Sequence, residues 1–152
     1  MTLSQHLRIY ESLRRNKVKY LVIGGIAAIS YGVPRNTLDL DIWVEPAKQN
    51  VSRLLDVLKE VRFGTVYLTS VEEILKNEIT VFEDYLRIDV LTAVKGLPDF
   101  KTVWKRRVVK KIDGVRINYL SLSDLIKSKS ATKRPIDKED VKALYQIAKR
   151  ER

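Results

Sequence analysis

The chain has 152 residues, of which 45% are hydrophobic, with no cysteine and a formal net charge of +10. That length and apolar content suit one domain over residues 1–152 with a sizeable core, and they argue against wholesale disorder. The missing cysteines exclude disulfides, a thiolate nucleophile and a cysteine-based zinc site, and the single histidine, His6, leaves no histidine-rich metal set.

No apolar run reaches the ~20 residues of a membrane span. The first residues lack a charged stretch followed by an apolar one, so no signal peptide is expected and a cytoplasmic location is the default. The charge is unevenly placed. Residues 1–100 carry 13 basic and 13 acidic side chains, whereas residues 101–152 carry 16 basic and 6 acidic. That asymmetry suits either a polyanionic partner or a solvated basic surface.

In chain order, Leu3, Leu7, Tyr10 and Leu13 recur at helical spacing over residues 3–16, which predicts an amphipathic helix. His6 on it reads as a surface residue. Tyr20–Ile23 is a short apolar run, a buried strand that enters a turn at Gly24 and Gly25. A short helix from Ile26 to Tyr31 follows, stopped by Gly32 and Pro34. Leu38 to Val44 alternates: Leu38, Leu40, Ile42 and Val44 face one way and Asp39, Asp41 and Trp43 the other. That predicts a strand with one buried face, on which Trp43 either caps the sheet or stacks on a base.

Asn50 to Val61 reads as a second amphipathic helix with Val51, Leu54, Leu55, Leu58 and Val61 on its stripe. Gly64 to Leu68 is read as a strand and Val71 to Leu75 as a short helix. Ile79–Phe82 and Leu86–Leu91 pair around a turn at Glu83 and Asp84. Val103–Lys111 and Val115–Tyr119 form a second hairpin, turning at Asp113 and Gly114. Ser121–Asp124 and Asp137–Asp140 resemble capping boxes that open two final helices, with Asp137 as a helix N-cap. The last helix is expected to bury Val141, Leu144, Tyr145 and Ala148. The mixture gives an α/β domain with a central sheet.

The chemistry concentrates between residues 21 and 43. A strand ends at Gly24 and Gly25, where the backbone is open to a ligand and a helix start offers free N–H groups. Thirteen residues intervene before Asp39. Asp39 and Asp41, at i and i+2 on a strand, point to one face roughly 6 to 7 Å apart. Two carboxylates there repel each other, and a magnesium ion, which takes oxygen ligands, resolves the repulsion. A further carboxylate on a neighbouring strand would complete a two-metal site. Asp89 is the best candidate because it sits on the polar face of its strand with Arg87. Its alternative is a salt bridge to Arg87 or Arg35, and Glu83 and Asp84 are rivals in a turn.

This pattern resembles the signature of the polymerase-β-like nucleotidyltransferase superfamily. Lys129, Ala131, Arg134, Pro135, Asp137 and Asp140 are similar to a C-terminal pattern of its small bacterial and archaeal members, relatives of AbiEii-type toxins of toxin–antitoxin systems. The resemblance implies a nucleotidyltransferase fold, a central mixed sheet flanked by helices with C-terminal helices. It also implies transfer of a nucleoside monophosphate from an NTP to an acceptor hydroxyl, with tRNA or another RNA among the possible acceptors.

By the same resemblance Asp39, Asp41 and Asp89 bind Mg2+ and serve catalysis, and backbone amides of Gly24 and Gly25 hold the triphosphate. Arg35, Thr37 and Lys129 then contact the nucleotide. Lys129 is otherwise a solvated surface residue, and Arg134 a partner for a nearby acid. The commoner second residue of the turn is Ser; here it is Gly25, which leaves more to Lys129 or Arg35. A partner protein or a homodimer could complete the acceptor cleft. The alternative function is an inactive module of the same fold that binds nucleotide or RNA within a complex.

Overall fold

A computed structural model describes residues 3–37 and 39–151. Leu38, expected at the head of the aspartate strand, lies outside the described residues. The elements run α1 (Leu3–Arg15), β1 (Tyr20–Ile23), α2 (Gly24–Ser30), β2 (Asp39–Val44), α3 (Lys48–Glu60), a 3-10 helix (Gly64–Leu68) and α4 (Val71–Lys76). They continue β3 (Ile79–Glu83), β4 (Arg87–Leu91), α5 (Phe100–Trp104), β5 (Val108–Ile112), β6 (Val115–Tyr119), α6 (Leu122–Ser130) and α7 (Pro135–Arg150). The strands form one mixed sheet in the order β3-β4-β2-β1-β6-β5. β2 runs parallel to β4 and β1 parallel to β6, and the remaining pairs are antiparallel.

Strand alternation decides what each face holds. Tyr20 stacks on Tyr10 at 6.4 Å, so α1 lies on the face of Tyr20 and of its register partner Val44. Leu40, Ile42, Ile88, Val90 and Phe82 are buried with them in one continuous core. α3 lies beside α1, turning Val51, Leu54 and Leu58 inward. Burying each such side chain stabilises the fold by about 1.5–3 kcal/mol. Asn50, also buried, ties the start of α3 to the first hairpin: its amide donates to the carbonyls of Lys19 and Glu45 and accepts from Lys19 N–H at 2.8 Å.

The other face is covered unevenly. Phe100 of α5 meets Trp43 edge-on at 5.4 Å, α2 lies over β1 and β2, α6 packs on α2, and α7 packs on α6. Beyond β2 the cover stops. Ile79, Val81 and Glu83 on β3 are exposed, while Phe82 between them is buried on the helix-covered side. This bare strip of β4 and β3 leaves the site open.

Several expectations are corrected. Residues 64–68 form a 3-10 helix, not a strand: Val66 is buried, Leu68 is 84% exposed, and Gly64 N–H is held by the carboxylate of Asp84. Residues 103 and 104 end α5, whose Asp99 caps it by accepting from Thr102 N–H, so the hairpin starts only at Val108. Trp43 is buried against Phe100, so β2 is covered on both faces at its C-terminal end and Trp43 cannot stack on a base.

Ser121 caps α6 as expected, accepting from Asp124 N–H, while the carboxylate of Asp124 takes a fork of bonds from Arg106 at 2.9 and 3.0 Å. Asp137 is not a cap. Arg134 occupies that position and Pro135 begins α7, because proline brings a helical φ and no N–H to satisfy. On α7, Leu144 is buried and Tyr145 is 52% exposed, so the expected inward stripe is displaced toward Ala143 and Ile147. His6 is half-buried beside Tyr10 rather than on the surface.

Candidate active site

β1 delivers the chain to Gly24, whose φ of +68° lies in the left-handed region. A Cβ there would run into the carboxylate of Asp41, 3.0 Å from its Cγ. Glycine is therefore required twice, by backbone conformation and by the close approach. At Gly25 an added Cβ would lie 3.2 Å from Thr37 Cγ2 and 3.3 Å from the Arg35 guanidinium. The space a serine side chain would use is thus already lined by Arg35 and Thr37, which accounts for glycine in the second position.

Asp39 and Asp41 share a face of β2, and the parallel register with β4 sets Asp41 opposite Asp89 and Asp39 opposite Arg87. Directly opposed residues hold their Cβ atoms about 5 Å apart, so one geometric fact gathers three acids and one cation. Burial pushes the Asp41 carboxyl up to about 6. The Asp89 charge, a hydrogen bond with Asp89 and the Asp39 charge act in the same direction, and Lys129 opposes them. Arg87 binds Asp89 through Nε at 2.9 Å. The salt bridge weighed from the sequence is therefore present alongside the cluster of carboxylates. Among the described residues no three acidic or imidazole groups stand close enough to form a ready metal cage.

Across the cleft, α6 and α7 contribute a buried ion-pair network. Lys129 lies between Asp140 at 2.8 Å and Asp137 at 3.3 Å, with its side chain only 5% exposed. It is not a solvated surface lysine. Asp140 also takes a bond of 2.6 Å from Arg35. Asp137 accepts from Thr132 Oγ1 at 2.5 Å and from Arg134 Nε at 2.9 Å. Burial pushes the Asp137 carboxyl up, but the bonds from Arg134 and Thr132 and the charges of Lys129 and Arg134 outweigh it and hold it at about 2. Asp140 is the organiser that the sequence pattern contained without revealing: it fixes both Arg35, 105 positions away, and Lys129.

All eight candidate residues, Gly24, Gly25, Arg35, Thr37, Asp39, Asp41, Asp89 and Lys129, line one cleft of about 560 Å3. Residues 3–149 match the family described as "Nucleotidyltransferase of unknown function (DUF6036)". The chain belongs to that family. As a nucleotidyltransferase it shares its fold with proteins of low sequence identity. One is the lincosamide antibiotic adenylyltransferase LnuA in its lincomycin-bound form, with TM-score 0.62, 17% identity, and 97% of this chain and 98% of that one covered. A protein from Thermotoga maritima described as a nucleotidyltransferase aligns with TM-score 0.56, 21% identity and 100% and 97% coverage. An antigenic nucleotidyltransferase-like protein from Paracoccidioides brasiliensis aligns with TM-score 0.57, 15% identity and 95% and 77% coverage. No curated protein matches the sequence. None of these likenesses carries an AbiEii-type assignment. No helix among the described residues is long and apolar enough to cross a membrane.

Proposed function

We propose that this nucleotidyltransferase binds an NTP with magnesium and moves its nucleoside monophosphate to an acceptor hydroxyl. The observation that carries the reading is the packing of Gly24 against Asp41 with Asp89 directly opposite on β4. The donor set suits magnesium: hard carboxylate oxygens, crowded enough that Asp41 holds its proton to about pH 6. Asp39 and Asp41 would hold the metal, and Asp89 would join them on leaving Arg87. When bound, magnesium supplies positive charge against the triphosphate.

The remaining chemistry belongs to the chain. Backbone amides at Gly24 and Gly25 accommodate phosphate oxygens. Arg35 supplies a buried Nε donor that has no partner among the described residues. Lys129 sets positive charge behind Asp41. In the transfer, the acceptor oxygen bonds to the α-phosphorus as the bond to pyrophosphate breaks. Pyrophosphate leaves with that electron pair and the hydroxyl proton passes to Asp89. Rate enhancement comes mainly from positioning and charge neutralisation.

A second reading, an inactive module that binds nucleotide, is favoured by one observation: Arg87 already neutralises Asp89. Calorimetry with each NTP and magnesium on wild type and on Asp39→Asn/Asp41→Asn protein, followed by a pyrophosphate-release assay, separates the readings. Because one fold neighbour is an adenylyltransferase, ATP is the first nucleotide to titrate. Magnesium-dependent binding lost in the double variant supports the site. Binding without pyrophosphate release for any acceptor supports the inactive module, and equal binding by the variant rejects the catalytic reading and leaves the binding module.

A further inference from the structure

The acceptor must approach Asp89 from the side the nucleotide leaves free. Gly24, Gly25, Arg35 and Thr37 lie on the β1 side of the aspartates, so that free side is β3. The antiparallel register sets Val81 opposite Asp89 and Ile79 opposite Leu91, and side chains so opposed share one face of the sheet. Ile79 is 53% and Val81 45% exposed on an edge strand, on a face left uncovered by the described helices. The result is a shelf of branched aliphatic side chains beside the third carboxylate. Ile79 and Leu91 are part of the cleft wall itself, with Ala93 and Val94 continuing it.

The electrostatics of the cleft point the same way. Its lining holds five cations (Arg35, Arg87, Lys95, Lys129, Arg134) and five acids (Asp39, Asp41, Glu78, Asp89, Asp137), so it is neutral while the whole chain carries +10. Four of those five cations are already ion-paired, with Asp140, Asp89 or Asp137. At the shelf Glu78 and Lys95 line the same wall. Part of the basic surface lies elsewhere: Arg14, Lys17, Lys19 and Arg116 surround a groove at the Tyr20 end of β1, the opposite end from Gly24. A polyanionic acceptor is held chiefly by several unpaired cations on phosphates, and the reacting cleft offers only Lys95 without an ion pair among the described residues.

Resting on the nucleotidyl-transfer reading above, we infer that the acceptor is a small hydroxyl compound with an apolar face, seated on Ile79, Val81 and Leu91, and not a nucleic acid. Its hydroxyl oxygen reaches the α-phosphorus over Asp89 while its apolar face covers the shelf.

The test uses the full chain with octyl glucoside, glucose and a short single-stranded RNA as probes, read by methyl NMR at Ile79, Val81 and Leu91. Octyl glucoside should shift those methyls, glucose should not, and the RNA should shift none of them. Ile79→Ser/Val81→Ser, on two exposed positions, should weaken octyl glucoside at least about tenfold and leave NTP affinity unchanged. Unchanged NTP binding keeps failure of the shelf distinct from failure of the nucleotide site. The inference is overturned if RNA shifts the shelf methyls and octyl glucoside does not. It is also overturned if the double variant binds octyl glucoside as wild type does, or if a second copy of the chain covers the shelf in solution.

Discussion

Gly24 lies so close to Asp41 that the space for a side chain on one is filled by the carboxylate of the other. The two are joined by register: β1 and β2 are antiparallel, with Ile23 opposite Asp41, so the turn after Ile23 folds back over that carboxylate. A ligand bound by the aspartates must therefore touch the backbone at Gly24.

Gly24→Ala should leave a folded protein whose NTP affinity falls at least tenfold. A left-handed φ costs a non-glycine residue roughly 1–2 kcal/mol, and the new methyl must displace Asp41. Gly25→Ala should cost much less, within about threefold, because Gly25 is not in the left-handed region and its methyl comes no closer than 3.2 Å to Thr37 and Arg35 side-chain atoms. Calorimetry on both variants checks the contrast. Equal affinities for wild type and Gly24→Ala would contradict it.

Asp41→Asn should abolish metal-dependent nucleotide binding and yet stabilise the metal-free protein at neutral pH. With its folded pKa raised to about 6, Asp41 contributes relative stability that is present below its unfolded value near 4 and lost as pH rises through 6. At pH 7 the carboxylate therefore costs the fold energy, which the amide removes. The expected gain is about 1–3 kcal/mol in urea unfolding with a chelator present, shrinking toward zero below pH 4. A less stable Asp41→Asn protein at pH 7 would show that the crowding of Asp41 and Asp89 is not repulsive.

The aspartate strand and the glycine turn were legible in the sequence because both rest on local rules: period two for Asp39 and Asp41, and permissive backbone for Gly24. The misread segments are those where a distant partner decides. Gly64 to Leu68 has the composition of a strand, but it joins no strand of the sheet, and Asp84, twenty positions away, holds its first N–H. Asp137 has the sequence signature of a cap, yet Pro135 starts the helix earlier and leaves Asp137 inside the first turn, facing Lys129. The pairing of Arg35 with Asp140 spans 105 positions, and no local pattern encodes it.

Asp140 holds two cations at once, so its removal should be felt at both. Asp140→Ala leaves buried Lys129 with Asp137 at 3.3 Å and deprives Arg35 of its ion pair with Asp140. Stripping one partner from a buried ion pair costs about 3–5 kcal/mol. Urea unfolding should therefore show a loss near 3 kcal/mol, and NTP affinity should fall as Arg35 becomes free to move. Arg35→Ala combined with Asp140→Ala should destabilise by less than the sum of the two alone, because they share one interaction. Strict additivity would mean that Arg35 draws nothing from Asp140.

The α6–α7 corner should also govern how the protein responds to acid. The Asp137 pKa is depressed to about 2, below the usual carboxylate value of about 3.9. A depressed acid contributes stability that is present above its unfolded pKa and lost as pH falls through the folded one. Between pH 4 and pH 2 the protein should thus lose about 2 kcal/mol through this residue alone. Asp137→Asn should already lack that contribution at neutral pH, and its stability should vary less over the same window. Chemical unfolding of both proteins at steps from pH 5 to pH 2 measures the difference. Parallel curves would mean that Arg134, 73% exposed, and Thr132 do not hold the carboxylate strongly enough to offset its burial.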